Sequence, residues 1–236
     1  MWSPCSPLWE AAEMEPRYTR NIPALTEAEC ALLFTKKVAV IGCGGLGGHV
    51  LDQLCRIGIG AIRAVDGDVF EPSNLNRQLL SQVPLLGSGK ASAAYMHAGR
   101  VNPQIQIEAV SEYLTEANAD QLLMSCDLVI DALDNIPSRK ILAAACSKAG
   151  IPYVYGAISG WVAQAGISMP GDQLIEILYP EDTVLKDKSV LSFTPALCAS
   201  MQVSLAVKLL VGRPVTTGTI YYFDLLNQEF ESIPLA

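Results

Sequence analysis

Short apolar segments alternate with amphipathic stretches along the first two thirds of this chain. Apolar or alternating segments predict strands at 37–41, 61–65, 105–110, 127–132 and 152–157. Between them, apolar residues spaced three and four apart predict helices at 45–57, 88–101, 116–124 and 137–149. This regular alternation indicates an α/β fold with a doubly wound, mostly parallel, Rossmann-like sheet.

The pattern changes in the last third of the chain. Segments 161–168 and 174–178 are predicted as antiparallel strands, and 195–211 as an apolar-striped helix. Segments 220–223 and 229–233 flank Asn227-Gln228 and predict a hairpin. We therefore expect a single domain over 17–236, with antiparallel strands at the C-terminal end of its sheet. Residues 1–16 are predicted to be a disordered N-terminal extension.

Composition and charge narrow the range of functions. The 236 residues are 50% hydrophobic and carry a formal net charge of −8. Such a chain lacks the basic surplus that phosphate backbones require, so nucleic acid is not an expected partner. No apolar run reaches about 18 residues, so no membrane span is expected. The seven cysteines are scattered and form no CxxC pair, which predicts reduced thiols in a cytoplasmic protein and no zinc.

A glycine-rich turn joins the first predicted strand to the helix that follows it. Gly42, Gly44 and Gly47 match the G-x-G-x-x-G pattern of nucleotide-binding βαβ units, with Gly45 between them. The helix that begins here offers free N–H groups and the positive end of its dipole to an anion. Asp66 ends the second strand, where a carboxylate can accept both hydroxyls of a ribose. On its own this pattern indicates a nucleotide and leaves the reaction open.

The segment after the second strand is dense in polar side chains. It includes Asp68, Asn74, Arg77 and Gln78. The last three could together hold a triphosphate, with Arg77 making a bidentate contact. A plain dehydrogenase does not need such a loop.

Two further positions suit a phosphate and a metal ion. Lys90 opens the third predicted helix, where a cation opposes the helix dipole unless an anion is bound nearby. Asp134 follows the fourth parallel strand and can hold Mg²⁺ against phosphate oxygens. Alternatively, Asp134 caps the helix that begins near Pro137, or Asn135 does so.

Six motifs follow one another along the chain in a recognisable order. They are RYTRN at 17–21, GCGGLGG at 42–48, DGDVFEPSNLNRQ at 66–78, GSGK at 87–90, DALDN at 131–135 and GIPYVYGAISGWVAQAG at 150–166. Over about 17–212 the chain resembles the MoeB/ThiF/HesA family, relatives of the ubiquitin-activating enzymes. The resemblance implies ATP-dependent adenylation of the C-terminal glycine carboxylate of a small ubiquitin-like sulfur-carrier protein, with release of pyrophosphate.

The resemblance also implies roles for individual residues. Arg77 and Lys90 would bind phosphates, Asp134 would carry Mg²⁺, and Gly45 would contact the nucleoside together with Asp66. Arg20 would reach into the site of a second subunit, which implies a homodimer with composite sites. The catalytic set is then Arg20, Arg77, Lys90 and Asp134. The residues and the resemblance together give these nucleotide-site candidates: Gly42, Gly44, Gly45, Gly47, Asp66, Asp68, Ser73, Asn74, Leu75, Asn76, Arg77, Gln78, Lys90, Asp134 and Asn135.

The chain departs from the family at its cysteines. Typical members carry two CxxC pairs for zinc, and many carry a reactive cysteine before the last helix, where residues 180–194 contain none. Cys198 is interpreted as a packed core thiol rather than a nucleophile. Three other functions fit parts of the pattern: activation of a small-molecule or tRNA-linked carboxylate, an NAD-dependent dehydrogenase, and a non-catalytic partner subunit. The dehydrogenase leaves the phosphate-binding candidates without a role.

Overall fold

The computed structural model describes residues 15–181, 183 and 189–235. The strands in this part of the chain are β1 (Lys37–Ile41), β2 (Ala61–Val65), β3 (Gln106–Val110), β4 (Leu128–Asp131), β5 (Tyr153–Ser159), β6 (Val162–Ser168), β7 (Thr219–Asp224) and β8 (Glu229–Pro234). They form one sheet in the order β3-β2-β1-β4-β5-β6-β7-β8. The first five strands of this order pair in parallel, and the last three are added antiparallel. The predicted architecture is confirmed.

Helices cover both faces of the sheet. They are α1 (Glu27–Phe34), α2 (Gly45–Ile57), α3 (Lys90–Val101), α4 (Ala119–Leu123), α5 (Ile136–Ala149), α6 (Leu174–Leu178) and α7 (Phe193–Leu210), with short 3₁₀ helices at Pro16–Asn21, Pro72–Asn74 and Val83–Leu85. Side chains of α1, α2, α3 and α7 share one core cluster, and those of α4, α5 and α6 share the cluster on the opposite face. The strand order reverses between β1 and β4. Ligands of doubly wound sheets bind beyond the carboxyl ends of the strands at such a point.

Segment 174–178 was predicted as an antiparallel strand, and that prediction is wrong because the segment forms α6. Leu174 and Ile175 are 3% and 0% exposed and belong to the same core cluster. Neighbouring residues of a strand point to opposite faces, so a strand would bury only one of them in this cluster. Both edges of β6 are also taken, one by β5 and the other by β7.

The helix α1 was missed, although its start signal is present in the sequence. The Thr26 Oγ1 accepts the N–H of Glu29 at 3.2 Å, and Glu29 accepts the N–H of Thr26 at 2.7 Å. This reciprocal pair is a capping box. At the N-terminus, residues 1–14 lie outside the described residues, so the predicted disorder there stays a prediction. Pro16 already belongs to the first 3₁₀ helix.

The helix α7 is long and apolar enough to cross a membrane, by length and composition alone. Half of it is buried inside the fold, where it packs on α2, β5 and β6. Its apolar character is accounted for by this core position.

Candidate active site

The glycine-rich turn between β1 and α2 packs backbone closely against backbone. Gly42 has a φ of +101°, and a Cβ there would come within 2.6 Å of the carbonyl oxygen of Ala132. A Cβ on Gly47 would lie 1.8 Å from the carbonyl oxygen of Gly42. Glycine is therefore required at both positions, for the left-handed turn and for the packing of α2 on it. The N-terminus of α2, at Gly45, opens at the carboxyl edge of the sheet.

Asp66 follows β2 and is fixed beside this turn by two backbone groups. Its Oδ2 accepts the N–H of Cys43 at 2.7 Å, and its Oδ1 accepts the N–H of Asp68 at 2.8 Å. Burial raises the pKa of the Asp66 carboxyl, and the two N–H donors oppose that rise. The carboxylate thus stands at the position where such folds bind a ribose.

A cavity of about 820 Å³ opens where β1, β2 and β4 end. This volume is within the range of small-molecule and cofactor sites. The structure brings ten of the predicted site residues to its lining: Gly42, Gly44, Gly45, Asp66, Asp68, Arg77, Gln78, Lys90, Asp134 and Asn135. Most of the site residues predicted from the sequence therefore lie around one cavity, while their individual roles stay predictions.

The other candidates do not line the cavity: Arg20, Gly47, Ser73, Asn74, Leu75 and Asn76. Two of them hold Arg77, whose Nη1 donates to the carbonyl oxygen of Ser73 at 2.8 Å and to Oδ1 of Asn76 at 3.0 Å. Asn74 is buried, and its Oδ1 accepts the N–H of Glu71 at 3.0 Å. This part of the motif shapes the loop and aims Arg77 at the cavity.

Two buried polar side chains face the cavity beside Arg77. Lys90 begins α3, is 7% exposed, and places its Nζ 3.0 Å from Oδ2 of Asp68. Gln78 is 6% exposed, and its Oε1 has no hydrogen-bond partner within the described part of the chain. A buried acceptor without a donor is costly. The cationic side chains of Arg77 and Lys90 in the lining fit the phosphates of the predicted ligand.

The structure gives the capping role to Asn135 and leaves the magnesium role of Asp134 as a prediction. Asn135 is the N-cap of α5, because its Oδ1 accepts the N–H of Ser138 at 2.9 Å. Asp134 lines the cavity with an exposed side chain. The described residues contain no group of three acidic, histidine or cysteine side chains that could enclose a metal. Mg²⁺ is commonly held by one or two carboxylates together with substrate phosphates, and Asp134 fits that arrangement.

A buried charged network under the cavity was not foreseen from the sequence. Arg139 on α5 is 4% exposed and donates to Oδ2 of Asp131 at 2.7 Å and to the carbonyl oxygen of Gly156 at 2.8 Å. Its Nη2 donates to the carbonyl oxygen of Leu133. Burial opposes the charge of Arg139, but the Asp131 carboxylate outweighs it and raises the Arg139 pKa. Arg139 thus ties the turn that carries Asp134 to strand β5.

None of the cysteines in the part of the chain that the structure describes supplies a nucleophile at this site. The six cysteines in the described residues are free and buried. Cys198 is 0% exposed, its Sγ donates to the carbonyl oxygen of Gln164 at 3.2 Å, and burial raises its thiol pKa to about 12. The nucleophilic form of cysteine is the thiolate, so Cys198 is a core thiol, as interpreted from the sequence.

Comparison with known proteins decides the family. The sequence pattern of the ThiF family matches residues 18–236. This chain belongs to the ThiF family. Within it, the "SAMP-activating enzyme E1" of Haloferax volcanii is 32% identical over 209 residues, which cover 86% of this chain and 77% of that protein. The "Sulfur carrier protein adenylyltransferase" of Thermus thermophilus is 31% identical over 241 residues, which cover 95% of this chain and 88% of that protein.

Solved structures agree with the ThiF fold. The crystal structure of E. coli MccB matches with a TM-score of 0.81 and 20% identity, over 95% of this chain and 71% of that one. At this identity the likeness is one of fold.

Proposed function

We propose that this ThiF-family protein adenylates the C-terminal glycine carboxylate of a small ubiquitin-like sulfur-carrier protein, using Mg-ATP and releasing pyrophosphate. The observation that carries the proposal is one cavity lined by Asp66, Arg77, Lys90 and Asp134. These side chains match the needs of a ribose, of phosphates and of a magnesium ion. The two relatives named for sulfur-carrier adenylation and for SAMP activation support the same reaction.

Catalysis at this site would rest on alignment and on neutralisation of charge. The carrier's carboxylate is itself the nucleophile, so the absence of a reactive thiol among the described residues is no obstacle. Arg77 and Lys90 would offset the charge that develops at the α-phosphate and on the departing pyrophosphate. Asp134 would hold Mg²⁺, which neutralises further charge on the phosphate oxygens when it is bound. Loss of one of these groups is expected to slow the reaction by about 10²–10³.

We further propose a homodimer in which Arg20 completes the site of the other subunit. Arg20 lies in the 3₁₀ helix whose Tyr18 packs on Gly58, where a Cβ would meet the tyrosine ring at 2.7 Å. Gly58 ends α2, and α2 begins at the cavity with Gly45 and runs for 13 residues. At 1.5 Å per residue this helix is about 20 Å long, which exceeds the reach of an arginine side chain. The exposed Arg20 can therefore serve such a site only across a subunit interface.

The proposed location and the expected metal requirement rest on the amino-acid composition. Buried free thiols and a net charge of −8 support a cytoplasmic protein that binds neither membrane nor nucleic acid. Because the sequence contains no CxxC pair, we expect the activity to need Mg²⁺ and no zinc.

Pyrophosphate exchange tests the proposal. Protein, Mg-ATP and labelled pyrophosphate are mixed with carriers that end in Gly-Gly, and with the same carriers shortened by their last glycine. Exchange that requires the complete carrier is the expected result, and Arg77→Met should abolish most of it.

The other outcomes would each contradict this function in a distinct way. Exchange that is supported only by a small-molecule or tRNA-linked carboxylate would show that the enzyme activates that substrate instead of a carrier protein. ATP binding without exchange, over a broad carrier panel, would indicate a non-catalytic subunit. Binding of NAD without ATP would indicate a dehydrogenase.

A further inference from the structure

Tyr113 is exposed and yet fixed at the mouth of the cavity. It lies outside the six sequence motifs, lines the cavity and is 64% exposed. Its ring lies over Gly67, where a Cβ would come within 2.7–2.9 Å of three ring carbons. Its hydroxyl donates to Oδ1 of Asp68. Gly67 and Asp68 together hold the ring in one orientation.

Asp68 connects Tyr113 to Lys90. While Oδ1 of Asp68 accepts the Tyr113 hydroxyl, Oδ2 accepts the Nζ of Lys90 at 3.0 Å. The Tyr113 bond, followed by the contact with Lys90, lowers the pKa of the Asp68 carboxyl and keeps it ionised. The backbone strengthens the link, because the N–H of Lys90 donates to the carbonyl oxygen of Asp68 at 2.9 Å.

The Asp68–Lys90 pair alone would hold Lys90 poorly. The Asp68 side chain is 51% exposed while that of Lys90 is 9% exposed, so water competes for the carboxylate and weakens the ion pair. A second bond from Tyr113 limits rotation of the carboxylate and so limits the positions of Nζ. The ammonium group has three N–H donors, and Asp68 takes one, which leaves two for a phosphate.

We propose that Tyr113 is a positioning residue for Lys90, acting through Asp68, so that the ammonium group faces a phosphate of the bound nucleotide. The proposal rests on the proposed function for the identity of this ligand. It assigns to Tyr113 an effect on ATP binding that depends entirely on the presence of Lys90.

A double-mutant cycle tests this dependence. Calorimetric titration with Mg-ATP is carried out on the wild type, Tyr113→Phe, Lys90→Ala and the double variant. Phenylalanine keeps the ring over Gly67 and removes only the hydroxyl. We expect Tyr113→Phe to weaken ATP binding about fivefold in the wild-type background, which is the size of one ordinary net hydrogen bond, and to leave it unchanged in Lys90→Ala.

Tyr95→Phe is the matched control. Tyr95 lies on α3, the helix of Lys90, is 56% exposed, and does not line the cavity. It should leave ATP affinity unchanged, and both Tyr113→Phe and Tyr95→Phe should keep the thermal midpoint of the wild type within the range expected for changes at exposed positions. Equal weakening by Tyr113→Phe with and without Lys90 would overturn the positioning role.

These titrations, taken together with the pyrophosphate exchange assay, separate this inference from the proposed function. A dependent pair of Tyr113 and Lys90 in a protein that shows no carrier-dependent exchange would support the inference and refute adenylation of a carrier. Exchange combined with independent effects would keep the function and overturn the inference. A wild type that binds no ATP would overturn both.

Discussion

Replacement of Arg139 by methionine is expected to lower the free energy of unfolding by about 3–5 kcal/mol. Arg139 and Asp131 are 4% and 0% exposed, and their Nη1 and Oδ2 atoms are 2.7 Å apart. Methionine fills much of the volume but leaves the carboxylate buried without its positive partner. The hydroxyl of Tyr153 and the N–H of Leu133 still donate to Asp131, yet neither carries a charge. A loss of this size is a large share of the about 5–15 kcal/mol typical of a folded domain.

Urea titration at pH 7, followed by tryptophan fluorescence, measures this loss. The double variant Asp131→Asn with Arg139→Met is the control, because it removes both charges and leaves a neutral side chain in place of the carboxylate. It should be more stable than Arg139→Met alone, since a buried unpaired charge costs more than a neutral polar group.

The pH dependence of the free energy of unfolding provides a second test of the same prediction. Burial raises the pKa of Asp131 while Arg139 opposes that rise, so removal of Arg139 raises the pKa further. A carboxyl whose folded pKa is raised is penalised above its unfolded pKa, and the penalty fades as the pH falls through the folded value. The deficit of Arg139→Met should therefore shrink as the pH falls from 7 towards the unfolded pKa of an aspartate, about 4. A deficit below about 1 kcal/mol at pH 7, or one that grows on acidification, would refute the reasoning.

Two further predictions concern the dimer and the helix surface. A mixture of Arg20→Ala and Arg77→Ala proteins should recover about a quarter of wild-type exchange activity, because hybrid dimers hold one intact site; no recovery would contradict the shared site. Asp52→Asn should cost about 1–2 kcal/mol at pH 7 and less as the pH falls from about 4 towards 2, as urea titrations at several pH values would measure. Burial raises the Asp52 pKa, but His97 and Arg56 outweigh it and hold it at about 2, so this stabilisation is fully present above the unfolded pKa and is lost as the pH falls through the folded value. A difference as large at pH 2 as at pH 7 would contradict this assignment.

The parts of the fold predicted from the sequence are those with strong local signals. The helix α2 runs over the predicted 45–57 because Gly58, at a φ of +94°, ends it in a left-handed cap. The five-residue segment 174–178 has no such signal, and a short apolar run suits a strand as well as a helix. Its conformation is decided by the strands already paired on both sides of β6.

The site shows the same division between local and distant information. Gly42, Asp66 and Lys90 stand in motifs whose spacing points to a phosphate or a ribose. Tyr113 is set by a contact across the fold, since it meets Asp68 from 45 positions along the chain, whereas Arg139 meets Asp131 and Gly156 from 8 and 17 positions away. A hydrogen bond of that range leaves no pattern in a single sequence. The contacts of Tyr113 and Arg139 at the site are recognised only in the folded structure.

The most direct test of the central claim is a crystal structure with Mg²⁺ and a non-hydrolysable ATP analogue. We expect the phosphates within hydrogen-bond distance of Arg77 and Lys90, with the metal ion beside Asp134 and with Arg20 contributed by a second subunit. An analogue bound elsewhere, with Arg77 and Lys90 pointing into bulk solvent, would contradict it.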